Sequence, residues 1–282
     1  MRKGPDPGRA FHGLPFRHRA EGFALIGTVA LFNALAGKLA SALHGEGLAG
    51  ALLSLGGVSA IIWFALIVML VIARRADDDR SLTPLDRAAL VIMMILAALP
   101  FNFAGAIAVL AGGLYLFATS MPRSATRGIA VILVALTGPL IWGRFLLTFF
   151  GTKLLGWDAY LAAAMAGSTV DGNVVDLVGG HGRLYVALGC SSLHNMSLSV
   201  LLFIVIVQFL RLKITPGLLA VCAASAAAMA VVNIMRLATI ARFPDHFEYF
   251  HVGQGAALFG MASFAAAAAV TGVGIVAATH NH

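Results

Sequence analysis

Charge is what this sequence has least of. Only 11% of its 282 residues are Asp, Glu, Lys or Arg, against about a quarter in an ordinary soluble domain. A larger core does not account for the deficit, because a soluble chain of this length still needs a polar surface. Cysteine is nearly absent as well. The two present, Cys190 and Cys222, exclude a disulfide framework and show no metal-ligand spacing. Acidic residues are fewer than basic ones, leaving a net charge of +7. The cations sit in short stretches between apolar runs rather than on one continuous face, which excludes nucleic acid as a partner. What remains is a chain that is 60% hydrophobic. The apolar surplus must face lipid, so the expectation is an all-α polytopic membrane protein with membrane lipid as its surroundings.

A membrane-crossing helix needs about 20 mostly apolar residues. Such runs fall at 22–43, 48–73, 88–100, 101–119, 128–150, 187–210, 216–241 and 252–279. The third and fourth are short and meet at "LPFN", which predicts a tight hairpin around Pro100. Eight helices are expected, or seven if that hairpin is re-entrant. Residues 1–21 read as a basic, Pro/Gly-rich cytoplasmic tail rather than a signal peptide. Residues 22–282 read as one transmembrane domain.

Every second connection is basic. Arg2, Lys3, Arg9, Arg17 and Arg19 precede the first run, and Arg74, Arg75, Arg80 and Arg87 follow the second. Arg123 and Arg127 follow the fourth, and Arg211 and Lys213 the sixth. The positive-inside rule then puts both termini in the cytoplasm. The long connection 151–185 falls outside, where a short interfacial helix followed by a turn is expected.

This orientation brings polar residues from three helices to one depth. Cys190 is expected in the first turn of the sixth helix, on its outer side. Asn233 and Arg236, three residues apart on one face of the seventh, lie toward its outer end. His251 sits at the outer rim before the eighth. Each has a bland reading: a lone cysteine in an apolar helix is usually a small packing residue, and an interfacial histidine needs no catalytic role. Cys222, mid-helix without polar company, is read as packing. Arg236 is harder to dismiss, since a charge within a span costs at least about 2.5–3.5 kcal/mol on insertion scales; snorkelling outward is its structural alternative.

The stretches "GCSSL" (Cys190), "NIMR" (Asn233, Arg236) and "FHVGQG" (His251), with "GNVV" upstream, resemble in order and spacing the exosortase/archaeosortase family of membrane cysteine transpeptidases. The resemblance covers roughly residues 172–260, and the first four runs match only as generic apolar helices. One departure is Ser192, where the family has glycine two residues after the cysteine; a hydroxymethyl narrows the space there. The resemblance implies a Cys190–Arg236–His251 site that cleaves C-terminal sorting tails of exported proteins on the outer side of the cytoplasmic membrane. No cofactor or metal is implied. Cys190 would attack the peptide carbonyl, His251 would exchange protons with thiol and leaving amine, and Arg236 would stabilise the oxyanion. Asn233 would orient Arg236 or act as a second donor.

His194, four residues after Cys190, competes as the base, although its charged form would be disfavoured by burial. Lys38, Arg144, Asp176 and Glu248 are further outer-side candidates for substrate or supporting contacts. Two readings from other classes stand beside this one. A transporter would place its binding groups near the midplane, often on broken helices in corresponding halves. A scaffold would keep the family's helices without its activity. Gly27, Gly37 and the "AGG" at 111–113 are expected to serve close helix packing.

Overall fold

A backbone surrounded by hydrocarbon must satisfy its own N–H and C=O groups, and a helix does this within one segment. The computed structural model describes residues 18–76, 80–180 and 182–280, so most of the N-terminal tail, with Arg2, Lys3, Arg9 and Arg17, lies outside the described residues. Its helices are α1 (Arg19–Leu53), α2 (Ala60–Arg74), α3 (Pro84–Ala98), α4 (Asn102–Thr119), α5 (Ala125–Thr137), α6 (Gly143–Ala166), α7 (Ser192–Phe209), α8 (Pro216–Arg242), α9 (Phe247–His251) and α10 (Gln254–His280). Among the described residues, six stretches are long and apolar enough to cross a membrane: α1, α4, α5 with its extension to Trp142, α7, α8 and α10. Ala60–Arg74 is a shorter apolar helix. This is a helical, multi-pass membrane protein. Its outward faces agree, with Ile67, Ile95, Leu114 and Val273 between 52% and 72% exposed.

The main core is built by α1, α2, α3, α4, α5 and α7 around Phe23, Ile61, Met69, Met93, Leu133 and Leu201. Lipid supplies no hydrophobic drive between helices, so close approach matters more than in water. The small residues singled out in the sequence provide it. A Cβ on Gly27 would stand 2.7 Å from Leu133, one on Gly37 2.6 Å from Asn102, and one on Gly113 2.9 Å from Val134. Gly105 is tighter still, with the Ala30 carbonyl oxygen 2.5 Å from that position. The expected hairpin is present: α3 ends at Ala98 and α4 begins at Asn102.

Three boundaries differ from expectation. The first helix continues to Leu53 through a break at Gly47 (φ 68°, ψ 178°), followed by a 3-10 turn at Leu55–Gly57. The run at 48–73 is therefore divided, and only its second part is α2. The second difference is at Pro139, which has no N–H to donate and would clash in a regular helix. The chain answers with a π-helical turn, Gly138–Trp142, that joins α5 to α6. Trp142 Nε1 donates to Thr137 Oγ1 at 3.1 Å across it.

The third difference is the connection 151–185. In place of a short interfacial helix and a turn, it holds the second part of a 24-residue helix and a three-stranded antiparallel sheet. The strands are β1 (Val170–Asp171), β2 (Val174–Asp176) and β3 (Arg183–Tyr185). Gly172, at φ 58°, takes the first position of the two-residue β1–β2 turn, where glycine is favoured. Val175 and Leu184 face each other across β2 and β3 and are buried. They join Ala159, Ala162 and Ala163 of α6 and Leu237 and Ile240 of α8 in a second apolar cluster.

The basic connections meet at the opposite end. Arg19 N–H donates to the Arg80 carbonyl at 3.1 Å, and Arg80 reaches Met121 at 3.4 Å. Beneath them lies a buried ion pair, Arg19 Nε to Asp86 Oδ1 at 2.8 Å, with side chains 9% and 2% exposed. Asp86 closes a capping box with Thr83 at the start of α3 and accepts the Tyr115 hydroxyl at 3.0 Å. Arg19 also donates to the Thr119 carbonyl and hydroxyl. Hydrogen bonds from Thr83, Arg19 and Tyr115 thus surround the Asp86 carboxylate.

Asp86→Ala strands a buried cation and is expected to destabilise the protein by about 3–5 kcal/mol, whereas Arg19→Met with Asp86→Leu costs much less. Unfolding of the three proteins in detergent, followed by circular dichroism, measures the difference.

Candidate active site around Cys190

The cysteine lies at the junction of the sheet and the bundle. Val186 leaves β3 clamped to Asn173, with its N–H donating to the Asn173 carbonyl at 2.9 Å and its carbonyl accepting Asn173 Nδ2 at 3.0 Å. A 3-10 turn, Leu188–Cys190, follows. Ser191 then turns extended (φ −70°, ψ 138°) and caps α7, its hydroxyl accepting the Leu193 N–H at 3.1 Å. Cys190 thus precedes α7 instead of occupying its first turn. The sequence SSLH explains this, because serine competes for backbone groups and favours the cap over the helix interior.

Two side chains from other helices grip this turn. Asp158 of α6, only 7% exposed, accepts the Ser192 N–H at 2.8 Å. Asn233 of α8, 2% exposed, donates to the Cys190 carbonyl at 2.8 Å and to Ser192 Oγ at 3.3 Å. The N–H groups of Ser192, Leu193 and His194 and the Cys190 carbonyl before them thus find partners that the helix itself cannot supply. The carboxylate also lies where a helix N-terminus favours negative charge.

Asn233 meets the backbone of Cys190, a different role from the one expected for the amide. Asn233 holds the backbone that carries the thiol, so its donors are not directed at Arg236. Ser192 is buried, and its hydroxyl accepts a hydrogen bond from Asn233. Arg236 follows one turn along α8, half-buried, and its Nε is buried without a hydrogen-bond partner. His251 ends α9, with its ring stacked on Phe247 at 4.8 Å and 26°. Phe247 and Phe250 pack on the same apolar cluster as Cys190 and Leu193. Among the described residues no hydrogen bond links Cys190, Arg236 and His251 directly.

His194 falls in the first turn of α7, its N–H donating to the Ser191 carbonyl at 3.2 Å. Because Cys190 lies outside that helix, the four-residue spacing does not stack the two on one face. Asp176 pairs with Arg183 at 3.2 Å on the exposed sheet. Glu248 is exposed on α9, and Lys38 is exposed on α1. The side chain of Arg144 lies outside the described residues. Cys222 sits in a third apolar cluster with Phe203, Val207, Leu218 and Ile275, as packing requires. Among the described residues no group of His, Cys, Asp or Glu is arranged to hold a metal ion.

Asp158 was not singled out in the sequence. Its signal was faint but real: a carboxylate in "LLGWDAYLAAAMA", with no neighbouring cation to pair with on its own helix face.

If these two side chains fix the turn, Asp158→Ala removes a cap worth about 1–2 kcal/mol. Asn233→Ala leaves the Cys190 carbonyl unsatisfied at a cost of about 1–3 kcal/mol. Asp158→Asn, which keeps an acceptor oxygen, is expected to fall between wild type and the alanine variant. Thermal unfolding in detergent ranks the three. Equal stability of all of them and wild type would show that the turn is held by other contacts.

Compared with known protein families, with curated proteins and with solved structures, the chain matches none of them.

Proposed function

We propose that this protein is a membrane cysteine peptidase or transpeptidase of the exosortase/archaeosortase kind, with Cys190 as nucleophile. The observation that carries the reading is the grip of Asn233 and Asp158 on the turn that bears Cys190. A packing cysteine needs no polar anchors, whereas a nucleophile must be held within a fraction of an ångström of its reacting geometry. Arg236, one turn along α8 from Asn233, adds to this, since its buried Nε has no partner and is a donor free for a developing negative charge.

In this reading the Cys190 thiolate attacks a peptide carbonyl and the C=O π pair becomes the oxyanion, stabilised by Arg236. The C–N bond breaks and His251 delivers a proton to the departing amine. Water or an acceptor amine then attacks the thioester, and the thiolate leaves. Catalytic hydrogen bonds commonly tighten only when substrate is present, which accommodates a His251 now stacked on Phe247. The substrate would be an exported protein with a C-terminal sorting tail, cleaved on the outer side of the cytoplasmic membrane. Grouping of the basic connections at one end of the bundle supports cytoplasmic termini. Eight crossings by α1, α2, α3, α4, α5, α7, α8 and α10 fit that arrangement.

The test is processing of a tail-bearing substrate in membranes. Wild type and Cys222→Ala are expected to cleave, and Cys190→Ala and His251→Ala to be inactive. Arg236→Ala should lose about 10²–10³-fold, the usual effect of removing an oxyanion donor. His194→Ala separates the two candidate bases. Undiminished cleavage by Cys190→Ala would sink the mechanism.

A further inference from the structure

The four basic residues Arg123, Arg127, Arg211 and Lys213 do more than orient the chain. Together they line one cavity of about 530 Å³, at the end of the bundle remote from Cys190. Its remaining wall includes Gln208 and the apolar side chains of Ile72, Val131, Leu212 and Ile214. Among the described residues no Asp or Glu lines it. Arg127 is fixed in place, with its guanidinium 3.6 Å above the Phe117 ring and its Nη1 donating to the Phe117 carbonyl at 2.6 Å. Arg123, Arg211 and Lys213 are exposed around it.

The backbone beneath two of these cations is unusual. Arg211 stands just after α7, where the Leu212 N–H donates to the Val207 carbonyl and the Arg211 N–H to the Gln208 carbonyl. That pattern of helix ending favours glycine at the position Arg211 occupies, and Arg211 adopts φ 52° there. Arg123 adopts φ 65° in the connection between α4 and α5. Two arginines thus hold left-handed conformations that glycine would adopt without strain, and both face one cavity. A cationic opening with an apolar wall, at the ends of α5 and α7, matches a phosphate group carrying acyl chains.

We propose that this cavity binds the phosphate headgroup of an anionic glycerophospholipid, with Arg123, Arg211 and Lys213 contacting the phosphate and Ile72, Val131 and Ile214 contacting the upper acyl chain. The site depends on the membrane architecture and is independent of the cysteine chemistry.

The experiment uses the full chain in detergent, titrated with phosphatidylglycerol, phosphatidylcholine or soluble glycerol phosphate. Retained lipid is read by native mass spectrometry and stability by thermal unfolding. Wild type should retain phosphatidylglycerol in preference to phosphatidylcholine and be stabilised by it. Each cation removed should weaken retention about fivefold, so Arg123→Gly with Arg211→Gly should lose about 25-fold. The same double variant relieves both left-handed arginines, so its lipid-free stability should equal or exceed that of wild type. This separates lost binding from failed folding. Arg80→Gln with Arg87→Gln removes two cations outside the cavity and should leave retention unchanged. Equal losses in the two double variants would overturn the site in favour of diffuse surface attraction. Saturation by glycerol phosphate without any preference for phosphatidylglycerol would overturn the lipid as its source.

Discussion

The need to satisfy backbone polar groups without water governs this molecule. Regular helix does most of it, and the informative places are where helix stops. At Pro139, which brings no N–H, the chain takes a π turn, and the Ala135 carbonyl accepts the Gly138 N–H instead. At Thr83 the box closed with Asp86 starts α3. At Ser191 the cap is shared among its own hydroxyl, Asp158 from α6 and, for the carbonyl just before it, Asn233 from α8. That third ending is the one that bears the cysteine, and it is completed only by other parts of the fold.

The same constraint shapes how helices meet. Small residues let α1 and α4 approach at Gly105 and α4 and α5 at Gly113, and short hydroxyls join helices where the core is otherwise apolar. Ser199 of α7 and Ser225 of α8 share a hydrogen bond of 2.7 Å, and Thr271 of α10 donates to Ser225 at 3.0 Å. Such contacts between membrane helices are individually modest, on the order of 0.6 kcal/mol. Each also leaves no buried hydroxyl unmatched. This neutral cluster ties α10, which packs chiefly on α8, into the bundle that supports the Cys190 turn.

The two ends of the bundle differ chemically. One gathers the basic connections and the Arg19–Asp86 pair, with four cations around a cavity. The other carries a small sheet, α6, α9 and the far end of α8 around their own apolar cluster, with Cys190 at its base. α8 links the two functions of that second end: Asn233 reaches down to the turn, and Leu237 to Ala241 support the sheet layer. There, the Ala241 carbonyl accepts the Val178 N–H at 2.9 Å and Arg242 caps the Ala166 carbonyl at 3.0 Å.

Composition and run length alone determined that the chain is a helical membrane protein, because too few charges exist to make any other surface. The α3–α4 hairpin and the packing glycines were equally legible, since proline, glycine and apolar length act locally. The sheet at 170–185 and the start of α7 at Ser192 were decided by tertiary contacts. Short strands such as β1 and β3 are stable only against α6 and α8. Asp158 acquired its meaning in the same way, because a carboxylate becomes a cap only when another helix begins beside it.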